Sequence, residues 1–329
     1  MEVPFMQKPN QLLDSAMNRG RKAASLYPKQ KTEFYTIKGK EIAKIDASAN
    51  YIEETLFRSV KAFPTFEDLE PFYKDLYECI LDTNELKKNL SSISSVARLV
   101  KTIRRNHIVK LKELKFDRGT GIKKQSFAIT KSYVGRLSSL LKGISKQIDF
   151  YNESARILKE LPNIRTKENC IILAGYPNVG KSTILSRITE SKPQIASYPF
   201  TTKGLNVGVF KKKYVPIQII DTPGLLDRPL LDRNKIELKA VTALQHLKGL
   251  IVFVVDPTEE LDKQKNLFLE LKKLFTHNKF LVVINKTDVA TQTELDSAKN
   301  IFEKELIIFE GKNSLALKEW LLDKENKIF

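Results

Sequence analysis

The run from Cys170 to Thr183 constrains this chain more than any other feature. Five apolar residues, Cys170-Ile171-Ile172-Leu173-Ala174, lead directly into Gly175-Tyr176-Pro177-Asn178-Val179-Gly180-Lys181-Ser182-Thr183. The pattern is Gly, four residues, then Gly-Lys-Ser, between a strand-length apolar run and a helical segment. Its glycines let backbone N–H groups converge on phosphate oxygens, and the helix start behind them adds positive dipole. Lys181 is expected to reach the β- and γ-phosphates, and Ser182 to ligate Mg²⁺. Such a loop works only between a strand and a helix, so the second half of the chain is committed to an α/β sheet.

Three further motifs follow in order. Tyr198-Pro199-Phe200-Thr201-Thr202-Lys203 offers hydroxyls that can complete a Mg²⁺ shell. Asp221-Thr222-Pro223-Gly224 ends the apolar run Ile217–Ile220. Asp221 is expected to hold Mg²⁺ through water, and the Gly224 N–H to sense a γ-phosphate. Asn285-Lys286-Thr287-Asp288 ends the run Phe280–Ile284. Asp288 can accept two hydrogen bonds from a guanine edge, a donor pair that adenine lacks, while Lys286 lies along the base and Asn285 braces the loop. Together these imply a guanine nucleotide, GTP or GDP, as ligand. Apolar runs at Cys170–Ala174, Val207–Phe210, Ile217–Ile220, Leu250–Val255, Phe280–Ile284 and Leu306–Phe309 alternate with helical segments. They predict a mainly parallel six-stranded sheet with helices on both faces, over residues 166–329.

Residues 1–165 read differently. Ile93, Val96, Ala97, Val100 and Ile103 recur at three and four residues, as do Val134, Leu137, Leu141, Ile144 and Ile148. These stripes predict an all-α bundle. Breaks are expected at Ala62–Thr65, Asp82–Asn84 and Asp117–Gly121, and Leu161-Pro162-Asn163 closes the last helix. Asp82 or Thr83 is placed to cap the helix that follows.

Charge separates the halves as well. The whole chain carries 56 Lys and Arg against 39 Asp and Glu. Residues 87–146 hold 16 basic residues and only two acids, Glu113 and Asp117. A merely solvated helix would interleave Glu for i,i+4 pairing, so the strip points to a polyanion. Its few aromatic residues favour phosphate contact with folded RNA over base stacking. His107 lies in the strip and is expected at the surface. Two cysteines far apart exclude a disulfide scaffold, and no apolar run approaches the ~20 residues of a membrane span. Met1-Glu2-Val3-Pro4-Phe5 lacks the pattern of a secretory signal. A soluble cytoplasmic protein is expected.

On these motifs the chain resembles the Obg-like GTPases. Leu12-Leu13-Asp14-Ser15-Ala16, the helical region and Phe63-Pro64-Thr65 resemble their nucleolar GTP-binding (Nog-type) branch, in a compact archaeal form. The resemblance implies a P-loop GTPase that assists assembly of the large ribosomal subunit, docking on rRNA and its assembly intermediates through the helical domain, as a monomer. It makes Thr202 rather than Thr201 the Mg²⁺ ligand. The family's guanine-supporting Ser-Ala-Lys is absent here; Gly311-Lys312, just after the last apolar run, is the expected replacement, with Ser314–Ala316 as the alternative.

Hydrolysis is expected to be slow. Leu225 stands where many GTPases carry a water-orienting glutamine. Asn178 occupies the place where K⁺-stimulated relatives bind the cation, so Asn178, Lys181, Thr202 and Gly224 form the expected catalytic group, completed by K⁺ or a ribosomal partner. Two other readings stay open. One is a membrane-associated signalling GTPase, and the other is an RNA clamp that binds GTP without hydrolysing it.

Overall fold

The computed structural model describes residues 3–115, 121–189, 194–196, 198, 204–212, 215–230, 233–302 and 306–308. The chain divides into two compact units. Met1–Thr65 with Leu81–Lys159 form the first, and Phe66–Ile80 with Glu160–Phe329 form the second. Residues 66–80, which a single cut at residue 165 would leave with the helical part, are thus packed with the second unit.

The first unit is helical: α1 (Pro9–Leu26), α2 (Glu33–Ala62), α4 (Thr83–Glu113), α5 (Ile122–Gly143) and α6 (Ser145–Glu160). Pro9 opens α1 at a position where a missing N–H costs nothing. Thr32 caps α2 by accepting from the Tyr35 N–H. Asp82 caps α4 by accepting from the N–H groups of Asn84 and Glu85, at 3.0 and 2.9 Å. α2 packs on α1, α4 and α5, burying Ile45, Ala49, Ile52 and Leu56 at helical spacing. Tyr133 of α5 is fully buried, and its hydroxyl lies 2.9 Å from Ser48 Oγ and 3.2 Å from the Ile45 carbonyl. A buried hydroxyl needs such partners.

The structure corrects two sequence expectations here. The stripe Val134–Ile148 is not one helix, because the chain turns at Ile144 between α5 and α6. Nor is His107 at the surface. It is 1% exposed, its Nδ1 is 2.7 Å from the Ile103 carbonyl, and its ring meets Tyr133 edge-on. It falls seven residues after Val100 and four before Leu111, on the apolar face of α4. Burial holds its imidazole below the usual histidine range.

The second unit is built on a seven-stranded sheet rather than six strands. Its members are β1 (Cys170–Ala174), β2 (Gln194–Ala196), β3 (Leu205–Lys212), β4 (Val215–Asp221), β5 (Gly249–Val255), β6 (Lys279–Ile284) and β7 (Leu306–Ile308). Their order is β2-β3-β4-β1-β5-β6-β7. The sheet is mixed: β2 and β3 run antiparallel to their neighbours, and the other pairs are parallel. β1 is buried on both faces, as a central strand must be. Cys170, Ile172 and Ala174 enter one core with α8 (Lys235–Ala243), α9 (Leu261–Leu274) and Phe302 of α10 (Gln292–Phe302). Ile171 and Leu173 enter the other, against Ile184, Leu185 and Ile188 of α7 (Lys181–Ile188). Phe72 and Leu76 of α3 (Pro71–Ile80) join the first core, and Lys239 of α8 pairs with Glu78 at 2.7 Å.

Register brings the functional loops together. Leu173 lies opposite Asp221, Ala174 opposite Phe253, and Val255 opposite Ile284. The segments after β1, β4, β5 and β6 therefore leave the sheet at one edge, at the carboxyl ends of its parallel strands.

Candidate functional site

The loop between β1 and α7 bends through three left-handed residues: Gly175 (φ 133°), Asn178 (φ 62°) and Gly180 (φ 99°). A side chain on Gly180 would strike the Asn285 amide. Asn285 Nδ2 donates to the Val179 carbonyl at 2.8 Å, tying the loop after β6 to the glycine loop.

Lys181 begins α7 and is only 6% exposed. Its ammonium donates to the carbonyls of Gly175 and Tyr176, both at 2.7 Å. Burial pulls its pKa down, while Asp227 and then Asp221 pull it up. Ser182 Oγ donates to Asp221 Oδ2 at 2.5 Å, and Asn206 Nδ2 donates to the same oxygen at 3.0 Å. The other oxygen, Asp221 Oδ1, is buried with no hydrogen-bond partner among the described residues. An orphaned anionic oxygen beside a serine hydroxyl suits a hard divalent cation. A cavity of about 490 Å³ opens here, lined by Pro177, Asn178, Gly180, Lys181, Ser182 and Thr183 on one side. Asn206, Pro223, Gly224 and Asp227 complete its wall.

At the base end, Asp288 is exposed in the turn after β6. Lys286 has a positive φ of 57°, and its ammonium lies 2.5 Å from Asp256 Oδ2. Asp256 Oδ1 accepts from Thr258 N–H and Oγ, at 3.0 and 2.7 Å. Burial raises the Asp256 pKa, but Lys286 and Thr258 outweigh it and hold the carboxyl below its ordinary range.

Of the sequence-expected residues, the structure gathers Pro177, Asn178, Gly180, Lys181, Ser182, Thr183 and Gly224 around one cavity, with Asp221 bonded to Ser182. Gly175, Tyr176 and Val179 shape the same loop. Asn285, Lys286 and Asp288 follow β6, two places from β1 in the sheet. Phe200, Thr201, Thr202, Gly311 and Lys312 lie outside the described residues. Sequence reasoning missed Asn206, Asp227 and the role of Asp256. Asp256 did carry a signal, because it directly follows the apolar run of β5, as Asp221 follows that of β4.

The helical unit carries its own candidate surface. Arg98, Lys101, Arg105 and Lys112 recur along α4 at intervals of three, four and seven, and all are exposed. None of the four has an ion-pair partner among the described residues. Arg104 instead faces Asp46 at 3.5 Å, and Lys123 faces Glu33 at 2.8 Å. Lys101 also lines an open cavity of about 770 Å³ with Arg19, Arg58 and Lys61, where Glu53 and Glu54 are the acidic members. Among the described residues, no helix is long and apolar enough to cross a membrane.

Comparison with known proteins agrees with both units. Residues 1–165 match the NOG1 N-terminal helical domain, and residues 170–286 match the 50S ribosome-binding GTPase family. Nucleolar GTP-binding protein 1 of Eremothecium gossypii is 30% identical over 314 residues, covering 94% of this chain and 48% of its own. The Saccharomyces cerevisiae protein of the same name is 31% identical over 302 residues, covering 91% and 46%. An uncharacterized protein of Methanocaldococcus jannaschii is 34% identical over 297 residues, covering 88% and 81%. The chain thus spans about half the length of the nucleolar relatives it matches. With its helical unit and its glycine-loop α/β unit both accounted for, the chain belongs to the nucleolar GTP-binding protein 1 family of P-loop GTPases.

Proposed function

We propose that this chain binds and hydrolyses GTP, and that nucleotide state times its stay on large-subunit ribosomal RNA during assembly. The observation that carries the reading is the cluster of buried Lys181, the Ser182–Asp221 pair and the orphaned Asp221 Oδ1 at the mouth of the glycine loop. Lys181, which now donates to two loop carbonyls, has a donor set suited to β- and γ-phosphate oxygens. Ser182 and Asp221, with Thr202 as a third ligand, would hold Mg²⁺. Magnesium, when bound, would neutralise charge between the β- and γ-phosphates. Asp288 reads the guanine edge, Lys286 lies along the base, and Asn285 fixes their loop to the phosphate loop. Phe200 and Thr201 flank the Mg²⁺ ligand, and Gly311 with Lys312 support the base.

Leu225 is buried in the core at 1% exposure and has no group that could orient water. Unaided turnover is therefore slow, and the chain depends on K⁺ or a ribosomal partner. Asn178 supports the K⁺ route, since its side chain lines the cavity and makes no hydrogen bond among the described residues. Turnover in K⁺ should exceed that in Na⁺, and Asn178→Ala should abolish the difference. Equal rates in the two buffers would remove the K⁺ role.

The unpaired face of α4 supports RNA contact by the helical unit, acting as a monomer in the cytoplasm. Titration of the chain with GTP and ATP tests the base assignment. Strong preference for GTP, lost in Asp288→Asn, is the expected result. Equal affinity for the two nucleotides would overturn it.

A further inference from the structure

We propose that Asp227 sets this site's discrimination between tri- and diphosphate, because its carboxylate holds the Gly224 N–H that a γ-phosphate needs. The inference rests on the guanine-nucleotide reading above. The Gly224 N–H donates to Asp227 Oδ2 at 2.7 Å. Gly224 adopts a positive φ of 78°, which turns the peptide between β4 and the residues beyond it. Asp227 itself lines the phosphate cavity together with Lys181 and Ser182. An anionic oxygen of this chain thus stands where the reading puts the terminal phosphate oxygen.

Two observations say that the arrangement is built. Arg233, whose side chain is only 1% exposed, brings its guanidinium to 4.0 Å from Asp227 Oδ1. The same guanidinium donates to the Gly224 carbonyl at 3.5 Å. Arg233 thus lies beside both ends of the turn that Asp227 closes, and it also donates to the Arg228 carbonyl just beyond that turn at 3.3 Å. Asp227 is also the first of the two acids that counter the burial of the Lys181 ammonium. The carboxylate is then a counter-charge to Lys181 before any phosphate arrives.

A γ-phosphate would compete for the same N–H, and its charge would repel a carboxylate at that distance. GTP must displace Asp227, whereas GDP presents no group that requires this. Binding of the triphosphate is weakened selectively, and Gly224 changes partner only when the γ-phosphate is present.

The test is calorimetric titration of the full chain, and of Asp227→Asn and Asp227→Ala, with GDP and with a β,γ-imido analogue of GTP. Removing a charge-assisted competitor should raise the affinity ratio of analogue to GDP by about tenfold in Asp227→Ala. Asp227→Asn, which keeps the shape but not the charge, should raise it by less. GDP binding that persists in all three proteins, with an unchanged or lower ratio in both variants, would overturn the inference and leave the nucleotide reading standing. A wild-type chain that binds neither nucleotide would overturn both.

Discussion

At the scale of single residues, the site is assembled by polar groups that finish strands. Asp221 ends β4, Asp256 follows β5 and Asn285 follows β6, and each reaches a segment that leaves another strand. The four motifs were legible because each needs particular side-chain chemistry at fixed spacing. Asp227 was not, because an acid three residues past Gly224 has no meaning until the turn is seen to fold back. His107 was misread for a related reason. Its basic neighbours in sequence project from other sides of α4, and only the spacing of seven from Val100 and four to Leu111 marks it as buried. It makes a prediction. Its folded-state pKa is depressed, so as pH falls below ~6.5 the unfolded chain takes up the proton first. Stability should therefore drop below that pH and be insensitive to this group above it. Thermal unfolding of wild type at pH 7.5 and 5.5 should show a larger fall than the same comparison in His107→Leu. An equal fall in both proteins would count against a buried neutral imidazole.

Among elements, the long helices and central strands could be read from period alone, and β1 was placed to the residue. The misses were elements whose partners decide them. β2 has three residues at a sheet edge and no apolar run of its own. The turn at Ile144 sits inside an unbroken stripe, since Leu141, Ile144 and Ile148 keep helical spacing across it. α3 lies within the first 165 residues, which the sequence assigns as a whole to the helical bundle. Nothing in its sequence says that Phe72 and Leu76 bury themselves with Leu225, Leu226 and the residues of α8. The basic face of α4 carries the prediction at this scale. Replacing Arg98, Lys101 and Arg105 together by Gln should weaken binding to large-subunit rRNA and lower its salt slope by about two, since each lost phosphate contact removes about 0.7–0.9. GDP affinity should not change. RNA binding that survives with the wild-type salt slope would exclude this face. Arg104 and Lys123 are poorer choices, because each already faces a carboxylate.

For the whole molecule, the proposed function divides the work between the two units: the α/β unit would tell a triphosphate from a diphosphate, and the helical unit would hold the polyanion. The proposed function requires these to be coupled, so that nucleotide state changes RNA affinity. Allosteric coupling of this kind has typical free energies that correspond to at least about a fivefold change in affinity. The most direct measurement is the dissociation constant of the full chain for a large-subunit rRNA transcript, at fixed salt, with the β,γ-imido GTP analogue and with GDP. The account predicts at least about fivefold tighter binding with the analogue, abolished in Lys181→Ala. Identical affinity in the two nucleotide states would contradict it.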